Sequence, residues 1–311
     1  MDEILRQFQF RLVRRVTPST TELIQKWSAR ALQEDKIIRT SETLSEDHLS
    51  DLYVTLPSRD GSGRPAQVPV VGEQLAYGHH LVFFHRRHPE RALRWDGTEA
   101  EFAPPGPYPR RMWAGGTMVW KKPLRIGEKA VSTAKIASVD LKGETIDDSK
   151  VFVKQNITIR REETGEECIR EERTHVYLPS GQRGSGRKQE SQVPTANFRF
   201  SFTPSLTTLF RFSALTFNGH MIHLDKTYAQ EREGYPERLV HAPLTALMML
   251  EVASIYKPDA RFRMFDYRAV SPLVACRRVS FTVTDDRDNS MRLWAQDDED
   301  AVAMKGWLSY T

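Results

Sequence analysis

The sequence predicts an α+β protein in which two antiparallel sheet-and-helix units follow each other along the chain. Alternating apolar and polar segments separated by turn formers fill residues 129–177, and a second strand-rich region fills residues 263–310. The most apolar helix-like run, Leu244 to Ala253, directly precedes the second region. Because the apolar face of a sheet has to be covered, this run is the expected cover.

Length and composition set the first limits. The chain has 311 residues, of which 39% are apolar and 28% charged, so two domains with normal cores are expected and global disorder is excluded. A net charge of +4 favours an ordinary surface over a polyanion binder, and it also suits a phosphorylated cofactor tail or an acidic carrier protein. No basic cluster is interleaved with aromatic residues, so no nucleic acid is expected. No apolar run reaches 18 residues, so no membrane span is expected.

The N-terminal residues suggest a compartment. Met1 to Val16 is rich in arginine and amphipathic, which is typical of mitochondrial transit peptides, whereas Asp2 and Glu3 argue against one. We therefore expect a mitochondrial protein, with the cytoplasm as the alternative. Capping residues and helical spacing then predict a helix over Thr17 to Ala31, and a second short helix begins near Ser45.

The sequence predicts no metal site. The two cysteines, Cys168 and Cys276, form neither a disulfide framework nor a zinc motif. His79 and His80 are adjacent, so their side chains diverge on either type of element, and packing in a core or pocket is the favoured interpretation. No glycine-rich phosphate fingerprint is present, and we expect no cofactor.

The first unit is predicted to end in a meander. A strand begins at Met118 to Trp120, after small residues that permit close backbone approach, and three more follow at 129–139, 150–160 and 168–177. Residues 179–196 have the composition of a linker. The expected division is 1–178 for an N-terminal helix with the first unit, 179–196 for the linker, and 197–311 for the second unit.

The second unit is organised around Phe210 to Ala253. A short aromatic strand (Phe210, Phe212) is predicted to lead into a polar turn that contains Asn218 and His223. The apolar helix follows. Four strands complete the unit, at 263–267, 279–284, 291–294 and 302–310.

A weak internal repeat links the two units. Trp120 to Leu124 matches Tyr267 to Leu273, and Cys276 stands where the first copy has Gly127. Each copy follows an aromatic-rich strand and precedes a meander, so a duplicated unit is predicted.

Four segments carry a resemblance to a known family: Pro109 to Gly116, Pro123 to Gly127, Phe210 to His223, and Val240 to Leu244. They resemble the hotdog fold of MaoC-like dehydratases and R-specific enoyl-CoA hydratases. The greatest likeness is to the double-hotdog subgroup, which contains the mitochondrial type-2 3-hydroxyacyl-thioester dehydratases and the mesaconyl-CoA hydratases. The resemblance implies two antiparallel sheets, each wrapped around a helix. It also implies that the N-terminal half is degenerate, because this half lacks an Asn/Asp–His turn of its own. This half would give room for the acyl tail.

The resemblance implies a hydro-lyase acting on acyl thioesters. It would reversibly dehydrate a 3-hydroxyacyl-CoA or acyl carrier protein thioester, or hydrate an enoyl- or mesaconyl-type CoA. His223 is the expected acid/base, because imidazole titrates near neutral pH, and Asn218 is expected to orient water or hydroxyl. Backbone N–H groups of Ala242 or Leu244 would receive the thioester carbonyl at the start of the helix. The supporting candidates are His220, His241 and Asp225.

Two positions depart from the family pattern. The wider family has Asp where this chain has Asn218, which removes a proton-transfer group, and Gly where this chain has Ala242. Asp225 and Glu251 are the carboxylates that could replace the missing one, although each is more often a solvated or capping residue. Arg110 and Arg111 could contact a carrier phosphate, with a solvated pair as the alternative.

Three functions remain open from the sequence. The first is the hydro-lyase. The second is a lyase or isomerase of a specialised pathway on the same fold, and the third is a thioester-binding hotdog without catalysis. The expected partner is an acyl-CoA or acyl carrier protein thioester, and a monomer or a homodimer is expected because a double hotdog already pairs two units.

Overall fold

A computed structural model describes residues 20–33, 36–62, 64–143, 149–179 and 195–311. The helices are α1 (Thr20–Ala31), α2 (Glu46–Tyr53), α3 (Leu206–Leu215), α4 (Met221–Leu224) and α5 (Ala242–Tyr256). The strands are β1 (Ile38–Thr43), β2 (Arg110–Trp120), β3 (Lys129–Lys142), β4 (Lys150–Arg161), β5 (Glu167–Leu178), β6 (Phe198–Phe202), β7 (Phe262–Ala269), β8 (Val279–Asp286), β9 (Ser290–Gln296) and β10 (Val302–Tyr310).

The strands form one antiparallel sheet in the order β1-β3-β4-β5-β2-β7-β10-β9-β8-β6. The order is symmetric about the β2–β7 pair, so the two predicted sheets are joined edge to edge. Glycine permits the close approach of strands on both sides of β2. A Cβ on Gly115 would lie 2.4 Å from the carbonyl oxygen of Tyr267 in β7, across the seam, and one on Gly116 would lie 2.2 Å from that of Glu172 in β5. The predicted close approach at this small-residue run is therefore confirmed.

The internal repeat is visible as equivalent backbone pairing. Leu75 N donates to Leu124 O in the first half, and Val240 N donates to Leu273 O in the second, both at 2.8 Å. Gly127 and Cys276, which the repeat aligns, both have positive φ, 90° and 61°. Because a non-glycine residue rarely adopts this conformation, the shared φ shows that both turns have the same shape.

The two halves differ in their central helix. In the second half α5 is fully formed, whereas the equivalent place in the first half holds a single 3₁₀ turn, His79–Val82. This turn packs on α5 so closely that a Cβ on Gly78 would lie 2.8 Å from Leu250 Cδ1. The expectation of one helix per sheet therefore needs correction in the first half, because α5 already occupies the shared core.

Helix α5 is the centre of the hydrophobic core. Every residue from Leu244 to Ala253 is buried, as expected of a helix that is apolar on all sides. The one charged member, Glu251, accepts hydrogen bonds from Arg59 Nε and Ser58 Oγ, both at 2.8 Å, and pairs with His79 Nε2 at 2.8 Å. These contacts satisfy the buried carboxylate and fix the first half against the helix.

Two predicted strands were placed wrongly. Phe210 and Phe212 lie in helix α3, whose capping box joins Ser205 and Thr208. Leu209, Phe212 and Leu215 are buried at helical spacing while Phe210 is exposed, so the aromatic residues do not alternate across a sheet. Strand β2 ends, rather than begins, at Trp120.

Other expectations were met. The structure confirms the two N-terminal helices, which span Thr20–Ala31 and Glu46–Tyr53. It also confirms the three meander strands and the four closing strands. The arginine-rich start lies outside the described residues, as does most of the predicted linker, so the proposed domain division stays a prediction. No helix within the described ranges has the length and apolar character needed to cross a membrane.

Candidate active site

Both halves of the sheet contribute to one cavity of about 810 Å³. The second half supplies the turn before α4 and the first residues of α5, and the first half supplies strands β2, β4 and β5. The volume is within the ordinary range for small-molecule sites. The sequence-predicted residues in its wall are Asn218, His220, His223, His241 and Ala242.

Asn218 shapes the turn between α3 and α4. Its Oδ1 accepts a hydrogen bond from the backbone N of His220 at 3.1 Å, and its own backbone N donates to Ser213 O at 2.8 Å. With the carbonyl oxygen engaged, the amide group retains its two N–H donors for the cavity. Asn218 can therefore orient an oxygen atom of a ligand.

His223 lies on α4 and has a defined tautomer. Its Nδ1 donates to the carbonyl oxygen of Leu239 at 2.8 Å, so the lone pair of the neutral ring is on Nε2. Nε2 has no hydrogen-bond partner among the described residues. Burial lowers the pKa of His223 to about 4, and nearby Arg111 acts in the same direction. The ring is consequently a neutral base at physiological pH.

His241 supports the His223 ring. The two rings are stacked, with centroids 3.6 Å apart and planes 20° from parallel. His241 Nε2 pairs with Ser213 Oγ at 2.9 Å, and burial holds its pKa well below the usual range. Stacking on a fixed neutral ring restricts the plane of His223.

His220 is also neutral but has a different setting. It is 4% exposed, and its ring lies edge-on to His223 with centroids 5.5 Å apart. Burial holds the pKa of His220 well below the usual range, with smaller contributions from His223 and Arg111. Its buried Nε2 has no hydrogen-bond partner within the described part of the chain.

The N-terminus of α5 borders the cavity. Ala242 is the first residue of the helix and lines the cavity, and Pro243, which has no N–H, follows it. The first N–H groups of a helix have no partner within the helix. Leu244 is outside the cavity wall with its side chain in the core, so of the two predicted carbonyl-binding residues only Ala242 reaches the cavity.

A loop of the first half holds the Asn218 turn in place. Asp96 O accepts a hydrogen bond from Met221 N at 2.9 Å. Gly97, at φ +78°, lies so close that a Cβ there would be 2.1 Å from Gly219 O. Residues 96–98 therefore pack against the turn and fix its position. The next residue, Glu99, lines the cavity.

The two predicted arginines have different positions. Arg110 is buried and ion-paired with Glu233, and it also contacts Tyr235. Arg111 lines the cavity, and no described carboxylate forms a salt bridge with it. The alternative prediction that both arginines are solvated is thus wrong, since the Arg110 guanidinium is buried in an ion pair and Arg111 lines the cavity.

The two carboxylates suggested as replacements for the missing Asp are elsewhere. Asp225 is exposed and accepts a hydrogen bond from Tyr228 N at 2.7 Å, as a capping residue does. Glu251 is in the core contacts described above and outside the cavity wall. Burial alone would raise the pKa of Glu251, but His79 and Arg59 hold it below its usual value.

Sequence reasoning missed several polar residues of the cavity. In the first half, Arg173 donates to Glu171 at 2.7 and 3.0 Å, and Gln155 pairs with His175 at 3.2 Å. Alternation along β4 and β5 could have indicated which of these residues share a face. Glu99, which lines the cavity, and Ser213, which pairs with His241 outside the cavity wall, had no such signal, because only the tertiary fold gives them these positions.

Three features define a double-hotdog protein: the symmetric sheet, the helix α5 shared by both halves, and the segment 218–223, called the histidine turn below. A Mycobacterium tuberculosis protein described as a double hotdog fold matches with a TM-score of 0.57 at 11% identity, covering 91% of this chain and 97% of that one. This likeness confirms the predicted fold class.

Comparisons at the sequence level identify the family. Residues 78–275 match the family model of hydroxyacyl-thioester dehydratase type 2, and the chain belongs to this family. It is 35% identical over 212 residues to the mesaconyl-C(4)-CoA hydratase of Chloroflexus aurantiacus, covering 67% of this chain and 74% of the relative. It is 30% identical over 229 residues to the mitochondrial hydroxyacyl-thioester dehydratase type 2 of Schizosaccharomyces pombe, covering 64% and 74%. The chain is accordingly a hydro-lyase.

Proposed function

We propose that the cavity adds water to, or removes it from, the Cα–Cβ bond of an acyl thioester, with His223 as the proton acceptor. The observation that carries this proposal is the tautomer of His223. Because Nδ1 donates to the Leu239 carbonyl, the lone pair is on Nε2, which has no partner among the described residues, and the ring is neutral at physiological pH. A positioned base of this kind contributes about 10²–10⁴-fold to a rate.

Two neutral donors complete the proposed reaction. The Asn218 amide holds the attacking water, or the leaving hydroxyl, beside His223. The Ala242 N–H, at the positive end of the α5 dipole, stabilises the negative charge that develops on the thioester oxygen. In hydration the water oxygen bonds to Cβ and its proton passes to Nε2, while Cα takes up a proton. Dehydration is the reverse.

The cavity favours an acyl group that carries its own negative charge. Arg111 brings to the site a half-buried guanidinium that forms no salt bridge with the described residues, and a guanidinium binds carboxylates and phosphates strongly. The Chloroflexus relative is named for mesaconyl-C(4)-CoA, a thioester with a free carboxylate. We therefore place mesaconyl-type thioesters ahead of simple 3-hydroxyacyl chains, with coenzyme A or acyl carrier protein as the carrier.

Replacement of His223 tests the reaction. We expect His223→Ala to lower the hydration rate by about 100-fold or more, since the base is lost. The measurement is the absorbance of the conjugated thioester at 25 °C. His48→Ala, at a half-buried histidine outside the cavity, is the matched control and should retain activity. Equal rates for wild type and His223→Ala would exclude His223 as the base.

A mitochondrial location is proposed for the same enzyme. The arginine-rich start and the mitochondrial relative of Schizosaccharomyces pombe support it. Fluorescence of the full chain with a C-terminal tag, with and without Arg6, Arg11, Arg14 and Arg15, tests the proposal. Cytoplasmic fluorescence of the unaltered chain would reject it.

A further inference from the structure

The proposed reaction moves two protons, and the histidine turn supplies one group able to carry them. Asn218 is the other predicted catalytic residue of this turn, and its amide carries no proton that titrates near neutral pH. The other site histidines, His220 and His241, are neutral rings with strongly lowered pKa values, so neither is a proton donor at physiological pH. A carboxyl group at the cavity would fill this gap.

Within the described residues, three carboxylates line the cavity: Glu99, Glu101 and Glu171. Two of them are neutralised. Glu101 pairs with Arg86 at 2.6 Å and with His88 at 2.7 Å, and Glu171 accepts both hydrogen bonds of the Arg173 fork. Glu99 has neither an ion pair nor a hydrogen bond among the described residues. It is the carboxyl group that remains free for a ligand.

The fold places Glu99 next to the histidine turn. It follows the 96–98 loop directly, and this loop is locked to residues 219–221 by the Asp96–Met221 hydrogen bond and the Gly97–Gly219 contact. Glu99, Arg111, His220 and His223 all line the same cavity, and Arg111 acts electrostatically on the other three. Glu99 thus shares the cavity with the proposed base.

The charges around Glu99 act in both directions. Burial raises the pKa of its carboxyl, and Glu101 acts in the same direction, whereas Arg111, Arg86 and His88 lower it; the net shift is upward. Burial lowers the pKa of His223 to about 4. Because burial raises the pKa of Glu99 and lowers that of His223, the proton is held more strongly by Glu99 than by His223.

From this geometry we infer that Glu99 is the second proton-transfer group of the reaction, in place of the carboxylate that Asn218 lacks. The inference rests on the proposed function. In hydration the water oxygen bonds to Cβ, its proton passes to His223 Nε2, and the Cα–Cβ π bond breaks. The Glu99 carboxyl gives its proton to Cα. Return of the proton from the imidazolium to the Glu99 carboxylate restores the starting state without any other reactant.

The test compares Glu99→Gln with Glu99→Asp in the full chain, using hydration of mesaconyl-CoA and of crotonyl-CoA. Glutamine keeps the shape but cannot give up a proton, so we expect kcat to fall about 100-fold or more. The alkaline limb of the wild-type pH–rate profile should disappear in this variant. Aspartate keeps the carboxyl group and should restore part of kcat, with the alkaline limb present. Equal melting temperatures of the variants establish that folding is intact.

Glu90→Gln is the matched control, since it removes an exposed carboxylate outside the cavity wall. We expect it to change kcat less than about threefold. Glu99→Gln with kcat within about threefold of wild type and an unchanged pH profile would overturn the inference. In that case His223→Ala would still be inactive if the proposed function is right. A wild-type chain that turns over no thioester would instead reject the proposed function.

Discussion

Adjacent residues of one strand can have unrelated roles, as Arg110 and Arg111 show. Successive side chains of a strand point to opposite faces. Arg110 consequently meets Glu233 and Tyr235 and is neutralised in the fold, whereas Arg111 enters the cavity and lowers the pKa values of His220 and His223. A guanidinium of the second kind is suited to bind an anion.

Replacement of Arg111 tests whether the anion is part of the acyl group. Arg111→Gln should lower kcat/KM for mesaconyl-CoA by about 10–100-fold, because a hydrogen bond to a charged group contributes about 1.5–3 kcal/mol. The loss for crotonyl-CoA, which has no free carboxylate, should be smaller by about tenfold. Steady-state kinetics with both thioesters measure the difference. Equal losses would show that Arg111 acts on the thioester or its carrier instead.

At the scale of elements, the site depends on the contact between two loops. The turn before α4 carries Asn218 and leads into His223, but its position is set by residues 96–98 of the other half. Glycine at position 97 permits this contact, since a side chain there would overlap the carbonyl oxygen of Gly219. The same loop carries Glu99 into the cavity, so both proposed proton-transfer groups depend on it.

Gly97→Ala should therefore impair catalysis. The added Cβ would lie 2.1 Å from Gly219 O, which forces the turn to move, and a displacement of about 1 Å at a site can cost about 100-fold in rate. Gly106→Ala is the matched control. Gly106 also has positive φ, +83°, but no atom lies within 4 Å of the place of its Cβ. Hydration kinetics and melting temperatures of both variants separate displacement from backbone strain; similar kcat values in the two would contradict the expectation.

At the scale of the whole molecule, the cavity and core contain many neutral histidines. Burial lowers the pKa values of six of them: His79, His85, His175, His220, His223 and His241. Each is neutral in the folded chain and gains a proton more readily when unfolded. The stability that they contribute is complete above the unfolded pKa of about 6.5 and is lost as pH falls through the folded values.

The melting temperature should consequently fall between about pH 6.5 and pH 4. His85 and His223 both have folded pKa values of about 4. Each therefore contributes roughly 3 kcal/mol to the loss of unfolding free energy. The Glu251 and Glu171 carboxylates, with lowered pKa values, remain charged over this range and do not offset it. Thermal denaturation in steps of about half a pH unit measures the trend. A melting temperature constant from pH 7 to pH 4 would contradict it.

The sequence by itself determined the features that arise from local pattern. Spacing and residue type predicted the two meanders, the apolar helix α5 and the duplicated turn at Gly127 and Cys276. They also gave the order of Asn218, His223 and His241. These features depend on neighbours along the chain, and the resemblance to the family rests on the same motifs. The helical state of Phe210 to Phe212 was missed because a three-residue aromatic pattern does not distinguish periods of 2.0 and 3.6.

Only the tertiary structure decided which polar groups share the cavity. It brought Glu99 and Arg111 to the histidines, stacked His241 on His223, and placed Asp225 and Glu251 elsewhere. It also joined the two sheets at β2 and β7 and left one long helix for both halves. The physical reason is that these groups meet only through the fold: Glu99 and Arg111 precede His223 by more than a hundred positions, and His241 follows it by 18. Such contacts leave no local pattern in the sequence.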